Sequence, residues 1–300
     1  MINLHLQNVN LTSNSGPNCF GRKLFESLKQ KGVTFDSMKD PLATLAFIHK
    51  TRTPLMGTLF QRLDGIYFNS DQNYRQQNKP ILETYKLADG VIFQSEFNRK
   101  LITKYFGEHD YHTVIPNGSN FDLIAALPTI PEHIRNKYGK IWCCASHWRP
   151  HKRLRENIEY FLEHSEDNDI MFVVGKTTEE PFNHHRVKYL GELKYENLLT
   201  ILKAADYFIH LAWLDHCPNV VVDARSCGSQ VICSSSGGTK EIAGNNALVI
   251  QEEEWDFSPV KLYEPPLIDY SKKKTNTYNS NPDMKHVSES YLKFMMKDKK

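Results

Sequence analysis

Short apolar runs alternate with amphipathic stretches along this chain, and the alternation predicts strands and helices in turn. Ile2 to Leu6 reads as a strand. Phe20 to Lys31 has a helical period and stops at Gly32, a natural C-cap residue. Val33 to Phe35 reads as a second strand, and extended segments run within Leu59 to Phe68. A helix follows over Asn73 to Ala88, a strand over Val91 to Gln94 and a helix over Glu96 to Phe106. Val114 and Ile115 make a short strand that stops at the turn signal Pro116-Asn117-Gly118.

A second series then begins. Strands are expected at Ile141 to Ala145, Ile170 to Val174, Val187 to Leu190, Tyr207 to Leu211, Val231 to Cys233 and Ala247 to Ile250. Helices are expected at Leu154 to His164, Tyr195 to Ala204 and Pro218 to Cys227, the last with proline at its favoured first position. Continuous apolar strands between helices imply parallel sheets covered on both faces. Two series imply two Rossmann-like halves with a cleft between them. The expected domains are 1–128 and 129–265, because prolines interrupt the pattern near Leu127 to Glu132. Residues 251–282 read as a surface crossing or partly mobile loop, and Val287 to Met296 is helical again.

Composition narrows the class. The 300 residues are 40% hydrophobic and 24% charged, ordinary for a globular protein. A net charge of +2 gives no electrostatic reason to expect nucleic acid. No apolar run is long enough to span a bilayer, and MINLHLQNVN lacks the basic and apolar regions of a signal peptide. Six scattered cysteines without a Cys-x-x-Cys read as reduced thiols in the cytosol.

Five places carry candidate chemistry. Asp215 and Asp223 stand with seven residues between them, around the helix expected from Pro218. Unpaired N–H groups at such a helix start, those of Asn219 and Val220, attract phosphate. A carboxylate one turn further in can accept both hydroxyls of a ribose; a capping Asp and an incidental helix Asp satisfy the same pattern. Second, Arg149 and Lys152 follow the Ile141 strand, where a fork donor and a point charge suit a diphosphate leaving group. A solvated basic loop is the plainer alternative. Third, Gly16 lies between the first strand and helix, where backbone approaches ligand in doubly wound halves. Fourth, Gly237 and Gly238 enter a short helix and leave room for a sugar against backbone N–H groups. Fifth, Asp64, in the run Arg62-Leu63-Asp64-Gly65, is placed to bind or activate an acceptor hydroxyl; a turn-starting Asp-Gly with a salt bridge is equally compatible. Asp167 and Asp169 fall at the wrong end of a sheet for a metal site, and His184-His185 has no zinc-spaced partner. Lys272 to Lys274 and Lys297 to Lys300 read as solvated, compatible at most with peripheral contact to an acidic membrane surface.

With these residues in view, the chain resembles a GT-B glycosyltransferase of the large retaining family called family four. The matching pieces are GVIFQSEFNRKLI (90–102), VIPNGSNFD (114–122), SHWRPHKR (146–153), YLGEL (189–193) and the stretch from Tyr207 to Gly244. The resemblance implies two Rossmann-like domains facing each other across a cleft, with the C-terminal helix, 283–300, packing back on the first. It implies that Asp223 holds a ribose, that Asp215 lies near the donor sugar and that Arg149 and Lys152 bind the diphosphate. Gly16 matches the family's N-terminal loop glycine, and Leu190 and Gly191 lie where its backbone cradles the base. The family's paired acids are Glu-x7-Glu, whereas both are Asp here. The first half is short, and the histidine often found on its cleft face is not evident; Arg62 to Gly65 stands in its place. The expected activity is transfer of a sugar from a nucleotide diphosphate sugar to a hydroxyl of a glycan, lipid or protein, with retention and without a metal or other cofactor. The alternative is a non-catalytic nucleotide-sugar or carbohydrate-binding relative. A cytoplasmic protein, free or peripheral to a membrane, is expected.

Overall fold

The computed structural model describes residues 2–13, 15–36, 38–51, 57–177 and 180–297. Asn14, beside Gly16, and the lysines after 297 lie outside them. The chain divides into two compact units. The first comprises Met1–Asn120, Asp256–Val260 and Asn281–Lys300; the second comprises Phe121–Trp255 and Lys261–Ser280.

In the first unit, β1 (Leu4–Gln7), β2 (Ala43–Phe47), β3 (Thr58–Leu63), β4 (Gly90–Phe93) and β5 (His112–Val114) form a parallel sheet in sequential order. Helices α1 (Gly16–Gln30), α2 (Tyr74–Leu87) and α3 (Glu96–Phe106) cover it. Their starts follow ordinary capping chemistry: Asn73 accepts from Gln76 N, and Ser95 accepts from Asn98 N. The expected strand at 33–35 is not one; Thr34 makes only an isolated bridge to Asn3. The strand beside β1 is β2, a fully buried run that no periodicity marks. Gly16 is the first residue of α1 rather than part of the loop before it.

The second unit adds α4 (Phe121–Ala126), α5 (Glu132–Arg135), β6 (Ile141–Ala145), α6 (Leu154–His164), β7 (Ile170–Val174), β8 (Val187–Gly191), α7 (Tyr195–Ala204) and β9 (Tyr207–His210). Then come α8 (Asn219–Ser226), β10 (Gln230–Ser234), α9 (Thr239–Ile242), β11 (Leu248–Ile250) and β12 (Lys273–Thr275). The sheet runs β12-β11-β10-β9-β6-β7-β8 and is parallel except for β12. Strand β6 starts the series yet lies between β9 and β7, so the order reverses at the β6/β9 pair. Loops at such a switch point diverge and leave room for ligand. Alternate residues of each strand feed two cores: Cys143, Phe172 and Phe208 on one face, Cys144, Met171 and Ile209 on the other.

Three boundaries differ from expectation. The division falls at 120/121, not 128/129, because Ile124 of α4 joins the second unit's core and Lys203 Nζ donates to Ile124 O at 2.8 Å. The 251–282 crossing is not loose. It supplies β12, and Ser70 N donates to Val260 O at 2.8 Å within the first unit. Pro218 is the N-cap of α8, which begins at Asn219.

The last helix, α10 (Met284–Met295), belongs to the first unit and packs on α1, where Ser27 Oγ and Ser288 Oγ meet at 2.8 Å. It also reaches the unit's most buried charge. Arg62, at the end of β3, has no exposed surface. Its Nε donates to Tyr291 Oη at 3.0 Å, its Nη2 to Asn117 Oδ1 at 2.6 Å, and its guanidinium lies 4.0 Å from the Phe20 ring centre. Asp64 completes the set as the ion partner. Replacing Tyr291 by Phe leaves the Nε–H of this buried cation unpaired. Urea unfolding is expected to show a loss of about 1–3 kcal/mol; an unchanged free energy would mean that the contact contributes nothing.

Candidate functional site

The loop after β6 is built to hold its basic residues in fixed places. Trp148 anchors its start, donating from N to Lys176 O at 3.1 Å and from Nε1 to Val174 O at 3.0 Å. A single 3-10 turn, Pro150–Lys152, follows. Arg149 precedes the turn in extended conformation and is exposed. Lys152 ends the turn and is largely buried. Arg153 is left-handed at φ 54° and fully buried. It grips Glu252 with two hydrogen bonds, 2.9 and 2.7 Å.

The neighbouring loop follows β9, across the switch point. Asp215 stands five residues beyond His210, the last residue of that strand. Lys152 Nζ meets Asp215 Oδ2 at 2.5 Å, and His210 Nε2 meets the same oxygen at 2.9 Å. The other oxygen, Oδ1, accepts from His216 N at 3.0 Å. Burial alone would favour the neutral acid. The Lys152 charge and the His210 hydrogen bond outweigh it and hold Asp215 well below the usual carboxylate range. The cation expected at the diphosphate and the acid expected at the sugar therefore form one ion pair. Its place is three residues before the N-cap of α8.

Three histidines stand around this pair. Burial pushes His210 down despite its contact with Asp215. Burial, reinforced by Lys152, lowers His151 to about 3 and His216 to about 4. All are neutral rings at pH 7.

The remaining candidates of this unit surround the same edge. Gly237 pairs as an isolated bridge with Asp215, and Gly238 N donates to Asp215 O at 2.8 Å. Asn219 and Val220 open α8 and are half-buried. Asp223 is buried inside α8 and accepts from Tyr195 Oη at 3.0 Å. Leu190 lies at the carboxyl end of β8 and packs against the core. In the first unit, Asp64 and Gly16 both follow the carboxyl ends of strands, β3 and β1. Burial lifts the Asp64 carboxyl above its ordinary value, and the charge of Arg62 only partly offsets that. Asp169, declined above as a metal ligand, holds Lys140 N at 2.7 Å and Trp142 Nε1 at 3.1 Å. A surface depression of about 490 Å³ lies at the opposite, amino edge of the second sheet, beside Arg135 and Asp206.

Sequence reasoning missed His210, Arg153, Glu252 and His49. His210 was visible as the one polar residue ending an apolar strand. His49 follows β2 and contacts Asn8, and it was hidden with the strand that places it.

Two parallel α/β units in one chain, the second with its polar cluster at a switch point, define the GT-B fold. The chain is similar to sucrose-phosphate synthase from Thermosynechococcus elongatus, with a TM-score of 0.65 and 13% identity, covering 85% of this chain and 87% of that one. It is similar to the Anabaena protein Alr3699/HepE in complex with UDP and glucose, with a TM-score of 0.67 and 15% identity, covering 98% and 99%. Residues 129–257, most of the second unit, match the family model of glycosyl transferases group 1. A GDP-mannose-dependent monoacylated alpha-(1-6)-phosphatidylinositol monomannoside mannosyltransferase from Corynebacterium glutamicum is 24% identical over 194 residues, 56% of this chain. The chain spans 50% of that relative's length.

Two outcomes test this geometry. Gly237 has φ 84°, and a Cβ there would stand 2.4 Å from Asp215 O, a backbone atom. Gly237→Ala is expected to lower unfolding free energy by about 3 kcal/mol, from left-handed strain and the clash together; a neutral effect in denaturant titration would contradict the packing. The second concerns pH. His151 and His216 sit below their ordinary 6.5, so above pH 6.5 they are neutral in both folded and unfolded chains. Below it the unfolded chain binds protons that the folded chain refuses. Stability should fall from pH 6.5 towards 4 by at most about 1.4 kcal/mol per histidine per pH unit. Equal urea midpoints at pH 7.5 and 5.5 would sink this.

Proposed function

We propose that this protein transfers a sugar from a nucleotide diphosphate sugar to a hydroxyl acceptor, with retention and without a metal. The observation that carries the proposal is the meeting of Lys152, Asp215 and His210 beside the N-cap of α8, at the switch point of a group 1 domain. In this reading the donor's base lies along Leu190 and Gly191, and Asp223, with Tyr195, takes the ribose. The diphosphate lies between Arg149, Lys152 and the opening N–H groups of Asn219 and Val220. Gly237 and Gly238 give the sugar room. The bond from the anomeric carbon to the phosphate oxygen breaks, and the acceptor oxygen bonds to that carbon on the same face. The acceptor's proton passes to the departing phosphate oxygen. Negative charge grows on that phosphate, and fixed positive groups aimed at it lower the barrier. Asp215 keeps the Lys152 ammonium in place until the diphosphate competes for it. Asp64, raised above its ordinary value by burial, serves the acceptor side.

The relatives support the donor class. The name of the corynebacterial protein states a nucleotide-sugar donor and a phosphatidylinositol mannoside acceptor, and Alr3699/HepE is described with UDP and glucose. The acceptor here is a hydroxyl of a glycan, lipid or protein. Among the described residues no helix is long and apolar enough to cross a membrane.

Thermal-shift screening against UDP, GDP, ADP and their sugars is expected to single out one nucleotide that raises the melting temperature by mass action. With that donor, Lys152→Ala should lower turnover about a hundredfold, the usual scale for removing one charge-stabilising donor. Full activity in Arg149→Ala/Lys152→Ala would contradict the mechanism. Nucleotide binding with neither transfer nor donor hydrolysis would favour a non-catalytic binding protein.

A further inference from the structure

We infer that Glu252 is a positioning residue, which acts through Arg153 to hold Lys152 in reach of the diphosphate. The inference rests on the donor site proposed above.

Arg153 follows Lys152 directly, and it is a non-glycine residue in the left-handed region. Such a conformation persists only where surroundings over-determine it. Here they do. The two terminal nitrogens of Arg153 reach Glu252 Oε1 at 2.9 Å and Oε2 at 2.7 Å, Leu211 O at 3.2 Å and Pro266 O at 2.7 Å. The pair is sealed: 0% of the Arg153 side chain and 6% of the Glu252 side chain are exposed. Planar, two-pronged bonding of this kind fixes orientation as well as distance.

Glu252 is itself fixed. Its N donates to Ser235 Oγ at 2.8 Å, and its Oε1 accepts from Ser234 Oγ. Ser234 Oγ in turn accepts from Ser236 N at 2.8 Å, and Ser236 Oγ accepts from Leu214 N at 3.2 Å, one residue before Asp215. On the other side, Asn157 joins Lys152 O at 3.1 Å to Leu211 N at 3.1 Å. The loops after β6, β9, β10 and β11 are therefore tied through one buried pair. Lys152 lies one peptide from its centre, and Asp215 one residue from its edge, Leu214. Neither Arg153 nor Glu252 touches Asp215 through its own side chain. The shortest link from the pair to the site is the peptide between Arg153 and Lys152, and the chain through Ser234, Ser236 and Leu214 is longer.

The test is a double-mutant cycle read on the ratio of affinities for nucleoside diphosphate and nucleoside monophosphate, by calorimetry with the base found in the thermal-shift screen. This ratio reports the Lys152 contact and is insensitive to a mere loss of folded protein. Glu252→Gln is expected to lower the ratio about tenfold in the wild-type background, and by less than twofold in Lys152→Ala. Equal effects in both backgrounds would overturn the inference. A second variant separates positioning from stability. Arg153→Met/Glu252→Met exchanges a buried ion pair for apolar side chains, an exchange that commonly leaves folding intact. A well-folded double variant that keeps the wild-type ratio would also overturn it; a well-folded one with the lowered ratio supports it. If no nucleoside diphosphate binds the wild-type protein, the donor site falls and this inference with it, a result distinct from binding with an additive cycle.

Discussion

A charge removed from water must find an opposite charge or lose its ionisation, and the carboxyl ends of both sheets are organised around that constraint. In the first unit Arg62 gathers Asp64, Asn117 and Tyr291, and so ties α10 to the end of β3. In the second, two pairs stand side by side, Lys152 with Asp215 and Arg153 with Glu252. The consecutive residues Lys152 and Arg153 thus supply two cations with different partners. Arg153 is sealed, while 17% of the Lys152 side chain stays exposed.

The pair at Asp215 changes how its acidic motif should be understood. Both carboxylate oxygens are occupied, one by Lys152 and His210, the other by the backbone at His216. A side chain one methylene shorter than glutamate stays close to its own loop and meets the lysine there. Asp223 instead accepts from the Tyr195 hydroxyl, at the place where the proposal puts a ribose. The two acids, alike in sequence, have different surroundings.

Much of the fold was legible in the chain. Amphipathic helices such as Leu154 to His164 and apolar strands such as Ile170 to Val174 have the same limits in the structure. The alternation of strand and helix implied two parallel units. What stayed hidden was whatever depends on distant partners. β2 is a short buried run with no period, and a strand of that kind is recognisable only from its neighbours. β12 is an exposed run of Lys and Thr that forms a strand because β11 offers it an edge. The exit of the chain from one unit into the other at 120 follows from where α4 packs. At the site, adjacent strand ends brought Lys152 and Asp215 into view, but Glu252 lies 99 residues from its partner Arg153, and no local pattern links them.

The return of residues 281–300 to the first unit has a consequence for how the protein is made. A ribosome delivers the chain from its amino end, and domains commonly fold as they emerge. Here the first unit to emerge lacks the hydroxyl of Tyr291 that its buried guanidinium requires. The second unit, whose residues end at 280, can close earlier. The half that is born first therefore completes its buried charge set only once this later-made helix has joined it.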